Sequence, residues 1–269
     1  MALAQDDRLR IEKSKIHMNV KNSVGDKPII SIVLPTYKER DNLEIFIPQI
    51  ESEFDDIRIE IIVVDDNSND GTRDLVHRLN ETYKNISLVE RPGLLGIGSA
   101  LRDGYNLARG EYILSSDADL SFVSCDMRAL YTQILTGFDM VLGYKVVSGG
   151  AQEERQKKVM TQELMLPVGK ACNLIVRIVS GVGGLREYNT NFRIIRSSIW
   201  KKIDTVENRN FFLFETIFRA SQCGAKIAEI PVTFHARRFG ESKLNFLQQA
   251  PKYFIDLIRL RFFDGKPSA

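Results

Sequence analysis

Cysteine is scarce in this chain. Cys125, Cys172 and Cys223 are odd in number and far apart, which excludes a disulfide framework and the paired spacing of a zinc knuckle. An excess of one charge is missing too: 37 Lys and Arg against 35 Asp and Glu leave a net +2. A balance this near zero gives no global reason to bind nucleic acid, so no such partner is expected and any basic recognition must be local. No apolar run reaches the length of a membrane-spanning helix. The opening residues carry Asp6, Asp7, Arg8, Arg10, Glu12 and Lys13 where a secretion signal would be apolar. The expectation is a chain kept in a reducing cytosol. There is no internal repeat and no low-complexity tract.

What is present is 269 residues, 43% of them hydrophobic, enough for one large domain or one domain with an appendage. Residues 1–28 are polar, lack a sustained period and end in Gly25-Asp26-Lys27-Pro28, which predicts a mobile or peripheral extension. From Ile29 onward apolar runs alternate with helical patterns. Strands are predicted over 29–34, 59–64, 86–90, 111–116, 140–143 and 226–234. Helices are predicted over 41–54, 71–82, 99–108, 160–180 and 246–263, with a further one carrying Phe212 to Arg219. This alternation predicts βαβ units and a mainly parallel sheet. Gly93, Gly96 and Gly98 match neither a Walker loop nor a dinucleotide fingerprint, and they are expected to form turns. The charge-rich stretch 145–158, with Ser148-Gly149-Gly150, is either a lid or an exposed loop.

Three strands run into polar, acid-rich ends. Ile29 to Leu34 leads into Pro35-Thr36-Tyr37-Lys38-Glu39, Ile59 to Val64 into Asp65-Asp66-Asn67-Ser68-Asn69-Asp70-Gly71-Thr72, and Tyr112 to Ser116 into Asp117-Ala118-Asp119-Leu120-Ser121. Along extended backbone, residues two apart project to one side, so Asp117 and Asp119 can converge on a divalent cation or on the hydroxyls of a sugar. In an open α/β sheet, ligands bind outside the carboxyl ends of the strands, where these groups would gather. Tyr37 adds a ring able to stack on a nucleobase.

Taken together, these motifs resemble the nucleotide-sugar half of an inverting GT-A glycosyltransferase. Phe214-Glu215, Glu229-Ile230-Pro231-Val232 and Arg237-Arg238-Phe239-Gly240-Glu241-Ser242-Lys243-Leu244 resemble the dolichol-phosphate mannosyltransferase branch, the polyprenyl-phosphate glycosyltransferases. The resemblance implies a Rossmann-like, mainly parallel sheet flanked by helices over 29–245, with an amphipathic helix and tail over 246–269. It places Pro35, Tyr37, Glu39, Val64 and Asp66 around base and ribose. Asp117, Ala118 and Asp119 would meet ribose, metal and diphosphate, and Ser121 would make a further metal or sugar contact. Mg²⁺ or Mn²⁺ is the implied cofactor, with Asp117, Asp119 and Ser121 as the metal set. Arg237 and Lys243 would face the donor diphosphate and the acceptor phosphate.

The chain departs from the family pattern at two places. Lys145 stands after Gly143-Tyr144 where an arginine is usual, with Arg155 as a rival, and a lysine does not fork onto two phosphate oxygens. Glu187 to Arg193 stands where an aspartate and a Ser-Gly-Phe-Arg-like run are common. Arg193 either reaches a phosphate or is structural, and Glu215 either acts as a base or supports a loop or an arginine. The activity implied is metal-dependent transfer of a hexose, mannose from GDP-mannose, to a polyprenyl or dolichyl phosphate, with Lys145, Arg237 and Lys243 in catalytic roles. The alternatives are a glycosyltransferase acting on a hydroxyl of a glycan or small molecule, and a nucleotide-sugar-binding module without catalysis. The last helix, with Leu247, Ala250, Phe254, Leu257 and Ile258 expected along one side and Lys252, Asp256 and Arg259 along another, either covers the domain or meets a membrane surface peripherally.

Overall fold

The computed structural model describes residues 15–17, 27–147, 174, 176–179, 181–235 and 246–262. In chain order these residues form β1 (Lys15–His17), β2 (Ile30–Thr36), α1 (Arg40–Glu53), β3 (Ile59–Asp65), α2 (Thr72–Tyr83), β4 (Ile86–Glu90), α3 (Ile97–Leu107), β5 (Tyr112–Ser115), α4 (Ser124–Ile134), β6 (Met140–Val147), β7 (Arg193–Arg196), α5 (Ser197–Trp200), α6 (Phe211–Gln222), β8 (Ile227–Phe234) and α7 (Phe246–Phe262). The eight strands lie in one sheet in the order β1-β4-β3-β2-β5-β7-β6-β8. The pairs β2–β3, β2–β5, β3–β4 and β6–β8 are parallel, while β1–β4, β5–β7 and β6–β7 are antiparallel.

Alternation along the strands decides which helix covers which face. Ile30, Ile32 and Leu34 of β2 join Leu43, Phe46 and Ile47 of α1, Leu75 of α2, and Met127, Leu130 and Ile134 of α4. Val33, one residue out of phase, joins Ile62, Val64 and Val89 beneath Leu101 and Tyr105 of α3, with Phe212 and Phe214 of α6 and Leu257 and Leu260 of α7. The result is a sheet between two helical layers, as the period-2 and period-3.6 patterns require.

The six expected strands and the helices α1, α2, α3, α6 and α7 form, with boundaries moved by a few residues. β7, α4 and the four-residue α5 go beyond the expected elements. Three residues of the expected extension, Lys15–His17, pair antiparallel with β4 as an edge strand. The helix expected over 160–180 lies outside the described residues except for 174 and 176–179, which are helical. Among the described residues no helix is long and apolar enough to cross a membrane.

Of the three glycines expected to form turns, Gly93 has open space around it, while the other two serve close contact. Gly96 has a positive φ of 98°, and a Cβ there would lie 2.5 Å from the Asn208 carbonyl oxygen. A Cβ on Gly98 would meet Phe212 Cβ at 2.5 Å. The turn between β4 and α3 is therefore pressed against the segment that precedes α6.

Candidate active site

The strand order reverses at β2. β3 and β4 extend the sheet on one side, and β5 begins the other, so the switch point lies between β2 and β5. The carboxyl ends of β2 and β3 are in register, with Thr36 opposite Asp65, and the Asp66 N–H donates to the Thr36 carbonyl at 3.0 Å. On the other side, the Ser116 N–H reaches the Val33 carbonyl at 3.4 Å as β5 ends. Tyr37, Asp66 and the Asp117–Ser121 turn thus belong to one edge of the sheet, where ligands bind in open α/β folds.

Each of the three loops at this edge contains a non-glycine residue in the left-handed region: Lys38 at φ 60°, Asn67 at 63° and Leu120 at 59°. Each directly follows a singled-out residue, Tyr37, Asp66 or Asp119. Such conformations cost of order 1–3 kcal/mol and persist where the surroundings over-determine them, commonly at ligand sites.

Asp65 and Asp66 differ in their partners. Asp65 accepts from the Ser68 N–H at 2.8 Å and from its hydroxyl at 2.6 Å, which closes the loop on itself. Asp66 is ion-paired with the buried guanidinium of Arg91, which also holds Asp103 at 3.1 Å and Ser99. Burial pushes both carboxyls above the ordinary aspartate range. For Asp66, the charge of Arg91 and the backbone N–H groups of Gly96 and Leu95 oppose the rise. Partial burial pulls Asp70 upward as well, but hydrogen bonds from Thr72 and Arg40 outweigh it and leave that carboxyl below its usual value.

In the β5 loop, Asp119 Oδ1 accepts from the Ser121 N–H at 3.0 Å. Asp117 Oδ1 accepts from Asn191 Nδ2 at 3.1 Å. Ser121 is 1% exposed and its Oγ has no hydrogen-bond partner among the described residues, as is also true of Asn191 Oδ1 and Thr36 Oγ1. A buried polar atom left unpaired costs about 1–3 kcal/mol. Ser121 belongs to the turn held by Asp119, and Asn191 Oδ1 to the amide that holds Asp117; hard oxygen donors such as the two carboxylates and the serine hydroxyl suit Mg²⁺ or Mn²⁺. The donor set therefore fits a divalent cation, although among the described residues no group of three or more His, Cys, Asp and Glu side chains is clustered closely enough to hold one alone.

The remaining singled-out residues are placed as follows. Pro35 and Tyr37 are half-buried, and Glu39 accepts from Asn42 Nδ2 at 2.5 Å at the start of α1. Ala118 is buried in the core. Val64 is fully buried in the cluster beneath α3, so it shapes the floor of the edge and presents no side chain to a ligand. Lys145 is exposed on β6, its Nζ 4.6 Å from the Phe234 ring centroid. Arg155, Arg237 and Lys243 lie outside the described residues.

Two open questions from the sequence are resolved by packing. Arg193 is fully buried, donating to the Thr190 carbonyl and, at 2.8 Å, to the Leu213 carbonyl, with burial pushing its pKa down to about 10. It is a structural arginine, tying β7 to α6. Glu215 is 0% exposed and accepts from the Val206 N–H at 3.0 Å, the Glu207 N–H at 3.0 Å and Arg219 Nε at 2.8 Å. It supports both a loop and an arginine. Arg102 grips the same loop, reaching Thr205 Oγ1 at 3.0 Å, Asn208 Oδ1 at 2.9 Å and the Glu207 carbonyl at 2.5 Å. The Asn208 carbonyl in turn accepts from the Ser99 N–H at 3.1 Å, which links this loop to the Arg91–Asp66 pair.

The expected apolar face of α7 needs one correction. Leu257 and Leu260 are buried, whereas Ile258 is exposed, because the inward stripe runs 253, 257, 260 at helical spacing. Tyr253 packs edge-on against Phe211 at 4.9 Å and donates from its hydroxyl to Asn189 Oδ1 at 3.1 Å.

A model of the glycosyl transferase family 2 domain matches residues 31–217. A polyprenol monophosphomannose synthase of Mycolicibacterium smegmatis is 28% identical over 221 residues, which are 80% of this chain and 80% of that protein. A dolichol-phosphate mannosyltransferase of Pyrococcus furiosus is 28% identical over 239 residues; the match takes in 88% of this chain and 65% of the relative's length. Among solved structures, a mannosyltransferase of Pyrobaculum calidifontis in complex with GDP-Man and Mn²⁺ superimposes with a TM-score of 0.59 at 19% identity, covering 99% of this chain and 73% of that one. The glucosyl-3-phosphoglycerate synthase of Mycobacterium tuberculosis, in complex with Mg²⁺ and UDP, gives 0.62 at 18% identity, covering 90% and 81%. At such identities the solved structures speak to the fold, which is the GT-A Rossmann-like arrangement. The matched domain takes in the switch point and every described residue placed there, and the chain belongs to glycosyl transferase family 2 and is a glycosyltransferase.

Proposed function

We propose that this glycosyltransferase moves a hexose, mannose from GDP-mannose, to a polyprenyl or dolichyl phosphate with inversion, using a divalent cation. The observation that carries the reading is the gathering of Tyr37, Asp66 and the Asp117–Ser121 turn at the switch-point edge of a family 2 domain. Two relatives named for transfer to polyprenol or dolichol phosphate support the acceptor class.

In this reading Tyr37 and Asp66 flank the nucleoside, and Arg91 keeps Asp66 fixed. Asp117, Asp119 and the Ser121 hydroxyl would hold Mg²⁺ or Mn²⁺, which when bound neutralises charge on the departing diphosphate. The acceptor is already an anion at neutral pH, so its oxygen attacks the anomeric carbon without a strong base. It needs cations to bring it to the donor, the role given to Lys145, Arg237 and Lys243. A hydroxyl acceptor would need a base. Glu215, the residue best suited by type, is enclosed by three donors of its own, which favours the phosphate acceptor.

The exposed outer side of α7 supports a peripheral membrane role. Ile255 (65% exposed), Ile258 and Phe262 (69%) lie among Lys252, Arg259 and Arg261, the composition of a helix that rests in the interface of an anionic bilayer. The test of the whole reading is a panel of nucleotide sugars with polyprenyl phosphate, scored for a lipid-linked product. A product formed only with hydroxyl acceptors would overturn it.

A further inference from the structure

Asn191 is 3% exposed and comes from the segment entering β7, yet its side chain meets a carboxylate 74 residues earlier in the chain. The orientation of its amide is fixed by chemistry. An ionised carboxylate only accepts, so the Nδ2 end must face Asp117 Oδ1, at 3.1 Å, and Oδ1 points elsewhere. That oxygen is buried and has no hydrogen-bond partner among the described residues. The backbone leaves little freedom to change this. The Asn191 carbonyl accepts from Ser115 Oγ at 2.7 Å, Ser115 Oγ also meets the Tyr105 hydroxyl at 2.7 Å, and the next residue's N–H is held by Thr190 Oγ1 at 3.1 Å.

Asp117 is the more exposed of the two, so a ligand that reaches the carboxylate arrives beside the amide. Two acceptors then stand side by side, an anionic oxygen of Asp117 and a neutral amide oxygen, joined by a bond that fixes their separation. The cation assigned above draws on the two carboxylates and the Ser121 hydroxyl, which leaves the neutral amide oxygen to another group. What the pair matches in number and type is two adjacent O–H donors.

We propose that Asp117 and Asn191 form a clamp for a vicinal diol of the donor, with Asn191 Oδ1 accepting from one hydroxyl while Asp117 accepts from its neighbour. This assignment rests on the donor-site reading above. The diol has two sources, the ribose of the nucleotide and the transferred hexose.

Calorimetry in the presence of Mn²⁺ with GDP, 2′-deoxy-GDP, 3′-deoxy-GDP and GDP-mannose separates them, using the parent chain, Asn191→Ala and the milder Asn191→Ser. If the ribose is held, each deoxy nucleotide binds the parent about five- to tenfold more weakly than GDP, the loss expected for one hydrogen bond. Asn191→Ala then loses a similar factor for GDP but loses nothing more for the deoxy form lacking the hydroxyl that Asn191 takes. If the hexose is held, GDP binds parent and variant alike and GDP-mannose carries the loss. A purely structural asparagine would not couple to a ligand hydroxyl in this way, and the parent's deoxy series stands even if Asn191→Ala fails to fold. Parent affinity for every ligand in both variants, or a deoxy penalty of equal size with and without Asn191 together with no extra loss for GDP-mannose, overturns the clamp. Failure of the parent to bind GDP or GDP-mannose at all overturns the donor reading itself, a distinct result.

Discussion

The substitution Glu215→Gln removes one charge and exchanges one acceptor for a donor in a carboxylate that water does not reach. With the remaining oxygen turned toward Arg219 and Val206, the new NH₂ group faces the Glu207 N–H, and two donors meet. An orphaned buried N–H costs about 1–3 kcal/mol. Weakening the charge-assisted bond to Arg219 adds about 1–2 kcal/mol, the smaller end applying because that arginine is 18% exposed and partly rehydrates. The sum, about 2–5 kcal/mol, lowers the melting temperature of a chain this size by roughly 5–15 °C. The loop 205–208 also loosens against Gly96 and Ser99, so donor affinity falls with stability. Circular dichroism melting and initial rates taken well below the new midpoint are the two measurements. A general base behaves in the opposite way, losing a factor of about 10²–10⁴ in rate from an intact fold. An unchanged melting temperature with a hundredfold lower rate would refute the structural assignment and revive the hydroxyl-acceptor chemistry.

Four further outcomes are expected. Asp119→Asn weakens donor binding in the presence of Mn²⁺ and abolishes its dependence on the metal; calorimetry showing metal-independent affinity, equal in parent and variant, would remove the cation site. Because burial raises Asp65 above the ordinary value of 3.8, its favourable protonated form is fully present below that value and is lost as pH rises through the raised pKa. Asp65→Asn should therefore flatten the decline in stability with rising pH, read by urea unfolding at a series of pH values, and an unaltered slope would contradict it. Arg237→Ala should depress turnover more than donor affinity, by about a hundredfold if it stabilises the departing diphosphate, with single-turnover rates on a lipid-phosphate acceptor as the check. Replacing Arg259 and Arg261 by serine should weaken flotation with anionic vesicles by about thirtyfold, at about 1 kcal/mol per basic residue; identical partitioning would leave α7 as a cover for α6 only.

The donor half was legible in the sequence because its signals are local. Ile59 to Val64 is apolar except for Glu60, and the acids follow it directly, so strand and site are read together. α4 carried a readable stripe in Met127, Leu130 and Ile134 but begins three residues after Ser121, where the loop chemistry dominates the pattern. β7 is four residues long, Arg193–Arg196, with arginines at both ends, and only the tertiary contacts of Arg193 with Thr190 and Leu213 show why a cation is tolerated there. Arg91 and Asn191 were illegible for the same reason: their partners, Asp66 and Asp117, lie 25 and 74 residues away. The inward side of α7 differs from the sequence pattern at one residue: Phe254 and Leu257 pack against the core, while Ile258 faces outward and Leu260 is buried in its place, since both positions follow 254 and 257 at helical spacing.

The position of β7 has a consequence for synthesis on the ribosome. This strand is built from residues 193–196 but lies between β5 and β6, which end at 115 and 147. The nascent chain therefore emerges with all its donor-site carboxylates roughly 80 residues before the strand that closes the sheet beside them. At ~5–20 residues per second, β5 waits several seconds as an open edge. A fragment ending at 147 would hold Asp66, Asp117 and Asp119 yet offer β5 to any neighbouring strand, so premature termination in this window yields a sticky product, while a stop past 234 yields a closed sheet.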